Sequence, residues 1–172
     1  MNSTFKTSTS GKMSGLSLGP ILAFLNNGDL ETLDQFLDCE KVDIDEHDDD
    51  GCTGLHHAVI QNKTQFVSCF LSKGANPNKS DVNSRTPLNE AVIEDNAEVV
   101  QALLDAGADT ELSDNENWTP LLSACYLGHL DCVRILLEAG ASVYSQERYL
   151  LSFYSKPYSS ILTQSLEVFW AV

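Results

Sequence analysis

The chain has 172 residues, of which 42% are hydrophobic, and its 25 acidic and 10 basic side chains give a formal net charge of −15. This length and apolar content suit one soluble domain, and no apolar run approaches the ~20 residues of a membrane span, so we expect no membrane partner. The anionic balance repels phosphate backbones, so we also expect no nucleic-acid partner.

The first segment in chain order, residues 1–15, is polar and rich in serine and threonine, which is typical of a disordered segment. It contains lysines but no apolar stretch behind them, so it does not resemble a signal peptide. The cysteines of the chain have neither metal-site nor disulfide-framework spacing, and we expect reduced thiols in a cytoplasmic or nuclear protein. They are Cys39, Cys52, Cys69, Cys125 and Cys132.

A period of 33 residues runs through the middle of the chain. Similar tripeptides begin at residues 53, 86 and 119, and an alanine, an apolar cluster and a Gly-Ala pair follow each one at fixed offsets. Self-similarity at this period predicts a stack of supersecondary units, none of which can bury its apolar face alone. The tripeptides are Thr53-Gly54-Leu55, Thr86-Pro87-Leu88 and Thr119-Pro120-Leu121.

Each unit predicts two short helices followed by a polar finger. Thr86 suits the N-cap of the first helix, and Pro87 suits its first helical position. The second helix is indicated by apolar residues at three- and four-residue spacing, such as Val99, Val100 and Leu103. A left-handed glycine at the end of the second helix would terminate it. Ten polar, turn-rich residues then remain for a protruding hairpin, at 76–85 and at 109–118.

These units resemble the ankyrin repeat. The resemblance rests on the strings Thr86-Pro87-Leu88-Asn89-Glu90-Ala91, Gly128-His129-Leu130-Asp131-Cys132-Val133 and Leu136-Leu137-Glu138-Ala139-Gly140-Ala141. It implies an all-α solenoid of stacked helix-turn-helix units with protruding β-turn fingers. It also implies a backbone-bonding, structural role for His56, which occupies the family's usual histidine position.

Some residues depart from the family pattern. Gly54 replaces the usual proline, Ser84 and Asn117 replace the finger glycine, and Asn89 or Leu122 stands at the histidine position. We nevertheless predict four repeats, at about 16–48, 49–81, 82–114 and 115–147.

The first repeat is shifted by one residue relative to the others. We attribute the shift to an insertion near Glu40-Lys41 and interpret this repeat as the N-terminal capping repeat, because terminal repeats are usually atypical. In it, Pro20 stands where the later repeats have the capping threonine.

The final segment, 148–172, breaks the period, because Ser152-Phe153-Tyr154 stands where a fifth Thr-Pro-Leu string is due. A helix from Ser159 or Ser160 to Phe169 would cover the apolar end of the fourth repeat. A disordered sticky tail and a partner-binding segment are the alternatives.

Two groupings have the residue types of a metal site. The run 46–51 approximates a calcium loop, but His57 stands where a bidentate glutamate is needed, and Thr53 should already begin a helix. Cys52, His56 and His57 offer zinc ligands, although the structural role of His56 competes. We therefore predict no metal and no cofactor.

One pair has the residue types of a nucleophilic enzyme site. Cys125 and His129 are four residues apart, but a turn separates them and Cys125 falls at an apolar core position. We therefore predict no catalytic residue and no enzyme.

Function is then expected at a surface. Under the resemblance, the finger tips and the exposed sides of the first helices form one concave face suited to a protein partner. Trp118 and Tyr126 stand out as hot-spot residue types, with packing against the next finger as the alternative. The predicted partner-binding residues are Asp49, Asp50, Ile60, Val82, Asn83, Arg85, Ile93, Glu94, Asn115, Glu116, Trp118, Tyr126 and Leu127, with Cys52 and Gln61 beside them.

The predicted function is therefore a non-enzymatic protein-interaction module, acting as an adaptor or as a regulatory or targeting subunit, in monomeric form. Residues 16–140 contain 23 acidic and 6 basic side chains, which favours a basic protein partner, with solubility alone as the alternative.

A regulatory subunit of a serine/threonine phosphatase is the second hypothesis, because ankyrin stacks of that kind have a stretch similar to 114–121. The nearest phosphatase-docking string, Lys41-Val42-Asp43-Ile44, lacks the aromatic residue. An enzyme with an unrecognised site is the third.

Overall fold

The computed structural model describes residues 17–38 and 42–143, and every structural statement below concerns these ranges. They form four antiparallel helix pairs. The first helices of the pairs, called inner below, pack side by side in one row, and the second helices, called outer, pack in another. This arrangement is the predicted all-α solenoid. In chain order the helices are α1 Leu18–Asn27, α2 Leu30–Leu37, α3 Gly54–Ile60, α4 Thr64–Ser72, α5 Pro87–Ile93, α6 Ala97–Asp105, α7 Pro120–Leu127 and α8 Leu130–Glu138.

The predicted threonine caps are confirmed. Thr53, Thr86 and Thr119 stand before α3, α5 and α7, and each hydroxyl accepts a hydrogen bond from the amide three residues later. This bond satisfies one of the amides that a helix start leaves without a partner. In α5 the bond is reciprocated, because Oδ1 of Asn89 accepts from the amide of Thr86 at 2.9 Å.

The first helix begins differently from our prediction. Ser17 is its N-cap, and Pro20 is its third residue, so the prediction that Pro20 takes the place of the capping threonine is wrong. A proline is tolerated there because the first amides of a helix have no partner inside it. The amides of Ser17 and Leu18 instead donate to Oε2 of Glu46, at 2.7 and 3.0 Å.

Left-handed residues end the outer helices as predicted. Gly74, Gly107 and Gly140 have φ of 86°, 87° and 88°. Ser84 and Asn117, which replace the finger glycine, also have positive φ, of 61° and 63°. The finger conformation is therefore kept without glycine, at the steric cost that a Cβ atom brings to this region.

The core lies between the two rows of helices. Ala58, Ala91 and Ala124 are fully buried, which allows the inner helices to approach closely. Gly54 has a related explanation: a Cβ atom placed on it would lie 2.8 Å from Cγ2 of Ile21 and 2.9 Å from Cζ of Phe70. These two side chains fill the space that a side chain at position 54 would need.

Several predictions fall outside the described residues: the segment 1–15, the insertion at 40–41 and the helix proposed between Ser159 and Phe169. Within residues 17–38 and 42–143, no helix is both long enough and apolar enough to cross a bilayer.

Candidate protein-interaction site

Each finger is held by a buried or half-buried aspartate at its base. Oδ1 of Asp81 accepts from the amides of Asn83 and Arg85, both at 2.8 Å. Asp48 and Asp114 make the same pair of bonds to the amides two and four residues after them. This role was not predicted, although the three aspartates recur at the 33-residue period.

Neighbouring fingers are joined edge to edge. The amide of Val82 donates to the carbonyl oxygen of Asp50, and the amide of Asn115 donates to that of Asn83, each at 2.9 Å. The side chain of Asn115 also donates to the carbonyl oxygen of Val82 and accepts from the hydroxyl of Ser84. Asn115 was predicted to bind a partner, but its polar side-chain atoms form hydrogen bonds within the stack.

A second row of hydrogen bonds, also not predicted from the sequence, links the finger bases. Three oxygen-bearing side chains at the 33-residue period each accept from the amide 31 residues later. Asp45 accepts from Asn76 at 2.9 Å, Asn78 from Asp109 at 2.8 Å, and Glu111 from Ser142 at 2.8 Å. These bonds fix the distance between successive fingers.

Exposed apolar side chains concentrate on the predicted face. Ile60, Ile93 and Tyr126 occupy the same position at the end of successive inner helices and are 42%, 39% and 54% exposed. Val82 at a finger tip and Leu127 at the end of α7 are also exposed. Among the described residues, the further exposed large apolar side chain, Leu130, begins α8.

The two aromatic residues that the sequence singled out are in contact. The rings of Trp118 and Tyr126 meet edge to face, with centroids 5.1 Å apart. Trp118 is half-buried, whereas Tyr126 is exposed. Trp118 therefore packs on the inner helix of its own repeat and supports a tyrosine ring that remains open to solvent.

The acidic residues of the predicted face are exposed. Asp49, Asp50, Glu94 and Glu116 all lie at the surface, and none joins an ion pair with another described residue. Asn83 and Gln61 are exposed beside them, and Cys52 is half-buried. The four carboxylates of Asp49, Asp50, Glu94 and Glu116 therefore face solvent, and no ion pair with a described basic residue compensates their charge.

Arg85, the basic residue of the predicted face, is paired within the chain. Its Nη1 lies 2.9 Å from Oε1 of Glu90, and its Nη2 lies 3.5 Å from Oδ2 of Asp81. Burial raises the pKa of Glu90, while the guanidinium of Arg85 opposes that rise. The positive charge of Arg85 is therefore largely balanced by the carboxylates of Glu90 and Asp81.

The side chains considered for a zinc site are engaged elsewhere. Nδ1 of His56 accepts from the amide of Thr53 and its Nε2 contacts the carbonyl oxygen of Arg85, as the ankyrin resemblance implied. Burial lowers the pKa of His56, which keeps the imidazole neutral. Burial and nearby carboxylates raise the pKa of Cys52 to about 11, so its thiol is protonated.

In the run 46–51, which was considered for a calcium site, Asp48 also binds groups of the chain itself. Although burial acts to raise the pKa of Asp48, hydrogen bonds from His57 and from the amides of Cys52 and Asp50 lower it overall. Oδ2 of Asp48 lies 2.8 Å from Nε2 of His57. No group of three or more His, Cys, Asp or Glu side chains in the described ranges is arranged to hold a metal ion.

Cys125 and His129 do not form a catalytic pair. Nδ1 of His129 donates to the carbonyl oxygen of Val92 at 2.8 Å, so the imidazole links the start of α8 to α5, the inner helix of the preceding repeat. Burial raises the pKa of Cys125 to about 11, which leaves the thiol a poor nucleophile at neutral pH.

Comparison with known families agrees with this architecture. A family model described as ankyrin repeats (3 copies) matches residues 21–114, and a model described as ankyrin repeat matches residues 116–148. Together the two matches cover more than two thirds of the chain. A search of curated proteins finds no match.

Proposed function

The chain belongs to the ankyrin-repeat family, whose repeats are generally protein–protein interaction modules, and on this premise we propose that its concave face binds a protein partner. The observation that carries the proposal is the row of exposed apolar side chains at Ile60, Ile93 and Tyr126. Apolar side chains grouped on one surface of a monomeric domain are typical of an interaction site.

The rigidity of the face supports the same function. Its fingers are fixed by aspartates at their bases and by hydrogen bonds to their neighbours, such as that from Val82 to Asp50. A binding surface that is ordered before the partner arrives loses less conformational entropy on association. Such a surface suits an adaptor or a regulatory or targeting subunit.

The four described cysteines are free thiols, which supports a reducing, cytoplasmic or nuclear location.

The phosphatase hypothesis gains no support from the third finger, residues 109–118. In the stretch that suggested it, Asp114 binds the amides of Glu116 and Trp118, and Thr119 caps α7. The same roles recur in the other two fingers of this chain, at Asp48 and Thr53 and at Asp81 and Thr86. The stretch therefore does not distinguish a phosphatase subunit from other members.

Site-specific photo-crosslinking tests the proposed face. A benzophenone side chain would replace Ile93 on the concave face, and in a matched variant it would replace Glu98, which is exposed on the outer helix α6. Both proteins would be expressed in cells and irradiated, and the cross-linked products would be compared by mass spectrometry.

We expect protein adducts that are specific to the Ile93 variant and that disappear when Tyr126 is also changed to alanine. Equal adducts from the two positions would contradict the assignment of the site to the concave face. Products that contain only this chain would indicate self-association in place of a separate partner.

A further inference from the structure

The exposed charge of the concave face is negative from the first finger to the third. Asp49 and Asp50 lie at the tip of the first finger, Glu94 follows α5, and Glu116 lies at the tip of the third finger. Charges of one sign along a surface attract a segment of the opposite sign and accelerate its association.

The described basic residues do little to neutralise this field. Lys73 pairs with Asp34 and Asp38 between the outer helices, and Arg134 pairs with Asp131 on α8. Lys63 donates to the carbonyl oxygen of Leu25, and Arg85 is paired with Glu90. Of the five described cations, only Lys79 has no such contact assigned to its side chain, and it lies in the turn after α4.

The apolar character of the face increases toward the fourth repeat. There Tyr126 and Leu127 are both exposed, and Trp118 supports the tyrosine ring from the side. Exposed aromatic rings held by a neighbour are typical anchor sites for an apolar side chain of a partner. The same positions in the preceding repeat are Ile93 and Glu94, which are smaller or charged.

The acidic and the aromatic ends of the face are two repeats apart. Packed helices are ~8–10 Å apart, so two steps along the stack span roughly 16–20 Å. The first finger precedes α3, whereas Tyr126 lies near the C-terminal end of α7, which adds about 10 Å along the helix axis. An extended peptide covers at most ~3.3–3.6 Å per residue, so about six or seven residues bridge the combined distance.

We propose that the partner binds through an extended segment in which an apolar anchor, held by Tyr126 and Leu127, is separated by about six or seven residues from a pair of lysine or arginine side chains. The basic pair lies against Asp49 and Asp50. This inference rests on the proposed function and specifies the chemistry of the partner.

Synthetic peptides test the spacing directly. The probes are labelled peptides of Ser and Gly that contain one tryptophan and one Lys-Arg pair, separated by about two, about six or about twelve residues. Control probes replace Lys-Arg with Glu-Glu, or tryptophan with serine. Binding to the full 172-residue chain would be measured by fluorescence anisotropy at low salt.

We expect the tightest binding for the middle spacing and roughly tenfold weaker binding for either control peptide. Asp49→Asn with Asp50→Asn should weaken the middle-spacing peptide by about tenfold and leave the Glu-Glu peptide unchanged. Glu98→Gln with Glu138→Gln changes the net charge equally but lies on the outer helices, so it should have little effect.

The apolar anchor is tested by Leu127→Ala and by Tyr126→Ala, each checked for an unchanged cooperative melting transition. Both should weaken peptides that contain tryptophan and leave the serine control unaffected. Should either variant melt differently, Leu127→Ser at the exposed position provides the same comparison.

Three results would overturn the inference. They are equal affinity for Lys-Arg and Glu-Glu peptides, equal loss of binding in the two charge-matched double variants, and indifference to the spacing. If crosslinks still formed at position 93, such results would contradict the proposed basic segment, while the proposal that the concave face binds a protein would stand. If the peptides bound only after residues 1–15 or 148–172 were deleted, the deleted terminus would be the segment that occupies the face, and the proposal of a separate partner would be contradicted.

Discussion

The imidazole of His56 holds the finger that leads into the next repeat, because its Nε2 donates to the carbonyl oxygen of Arg85 at 3.3 Å. The bond crosses from one repeat to the next while Nδ1 secures the start of the inner helix that contains His56. One repeat later Asn89 occupies the position of His56, and its Nδ2 donates to the carbonyl oxygen of Leu112, a residue of the third finger other than the counterpart of Arg85. An asparagine at this position therefore also binds the backbone of the following finger, through a different residue.

Acidification should destabilise the stack through His56. Burial lowers the pKa of this imidazole below its ordinary value of 6.5, so the unfolded chain binds a proton more readily than the folded one. Stability that is complete above pH ~6.5 should therefore be lost progressively as the pH falls from there through the folded-state pKa. Urea denaturation at a series of pH values measures the effect.

His56→Asn provides the control for this pH dependence. We expect the variant to fold, because Asn89 occupies the same position one repeat later, and to lose most of the pH dependence below about pH 6.5. His47→Asn, at an exposed position, should keep it. A pH profile shared by His56→Asn and the unaltered protein would assign the effect to other groups.

Gly54→Ala should destabilise the protein although alanine is the better helix former. The new Cβ atom would press on Ile21 and Phe70, both fully buried, and overpacking of this kind costs on the order of 1–3 kcal/mol. Gly19→Ala is the matched control, because Gly19 lies in helix α1 with no atom within 4 Å of the added Cβ. The control should be neutral or gain up to about 1 kcal/mol. Equal denaturation midpoints for the two variants would contradict the packing at Gly54.

Leu103→Ala should reduce the free energy of unfolding by about 2–5 kcal/mol. Leu103 is fully buried in α6, so the change removes transfer free energy and leaves a cavity between repeats. Leu130→Ala, at an exposed position of α8, should cost far less. Both values follow from urea denaturation, and similar losses at the two positions would refute the assigned helix faces.

Asp81→Ala should loosen the second finger more than the helices. It removes the acceptor of the amides of Asn83 and Arg85 and the ion pair with Arg85, and we expect a loss of roughly 1–3 kcal/mol. Amide exchange at Asn83 and Arg85 should accelerate, while that of Leu103 should follow global stability. Asp81→Asn keeps an acceptor oxygen and should restore much of the protection. Unchanged exchange at Asn83 in Asp81→Ala would show that the turn needs no side-chain support.

The helices and their ends were predictable because local residue chemistry specifies them. Thr86 and Thr119 cap helices, and Gly107 ends one, wherever these residues precede or follow an amphipathic segment. The 33-residue period then extended each local assignment to the other repeats. The fold was therefore available from the sequence alone.

Contacts between repeats were predictable only in part. The capping of α1 by Glu46 joins residues 28 and 29 positions apart, so no local pattern indicates it. Asp48, Asp81 and Asp114 were counted as surface charge, although their recurrence at one period was a usable signal. The exposed face could be assigned by resemblance. The pairing of Arg85 with Glu90 depends on side-chain geometry, and so does the identity of the carboxylates that have no ion-pair partner.

The row formed by Asp45, Asn78 and Glu111 gives the stack a direction. Each side-chain oxygen bonds the amide of the following repeat, so one side of every repeat offers an acceptor and the other side offers a donor. Any repeat added by duplication or by engineering must match both sides. It needs an oxygen-bearing side chain at the position of Asn78 and a residue other than proline at the position of Asp109. This two-sided rule limits which repeats can be exchanged, whatever residues their finger tips present to a partner.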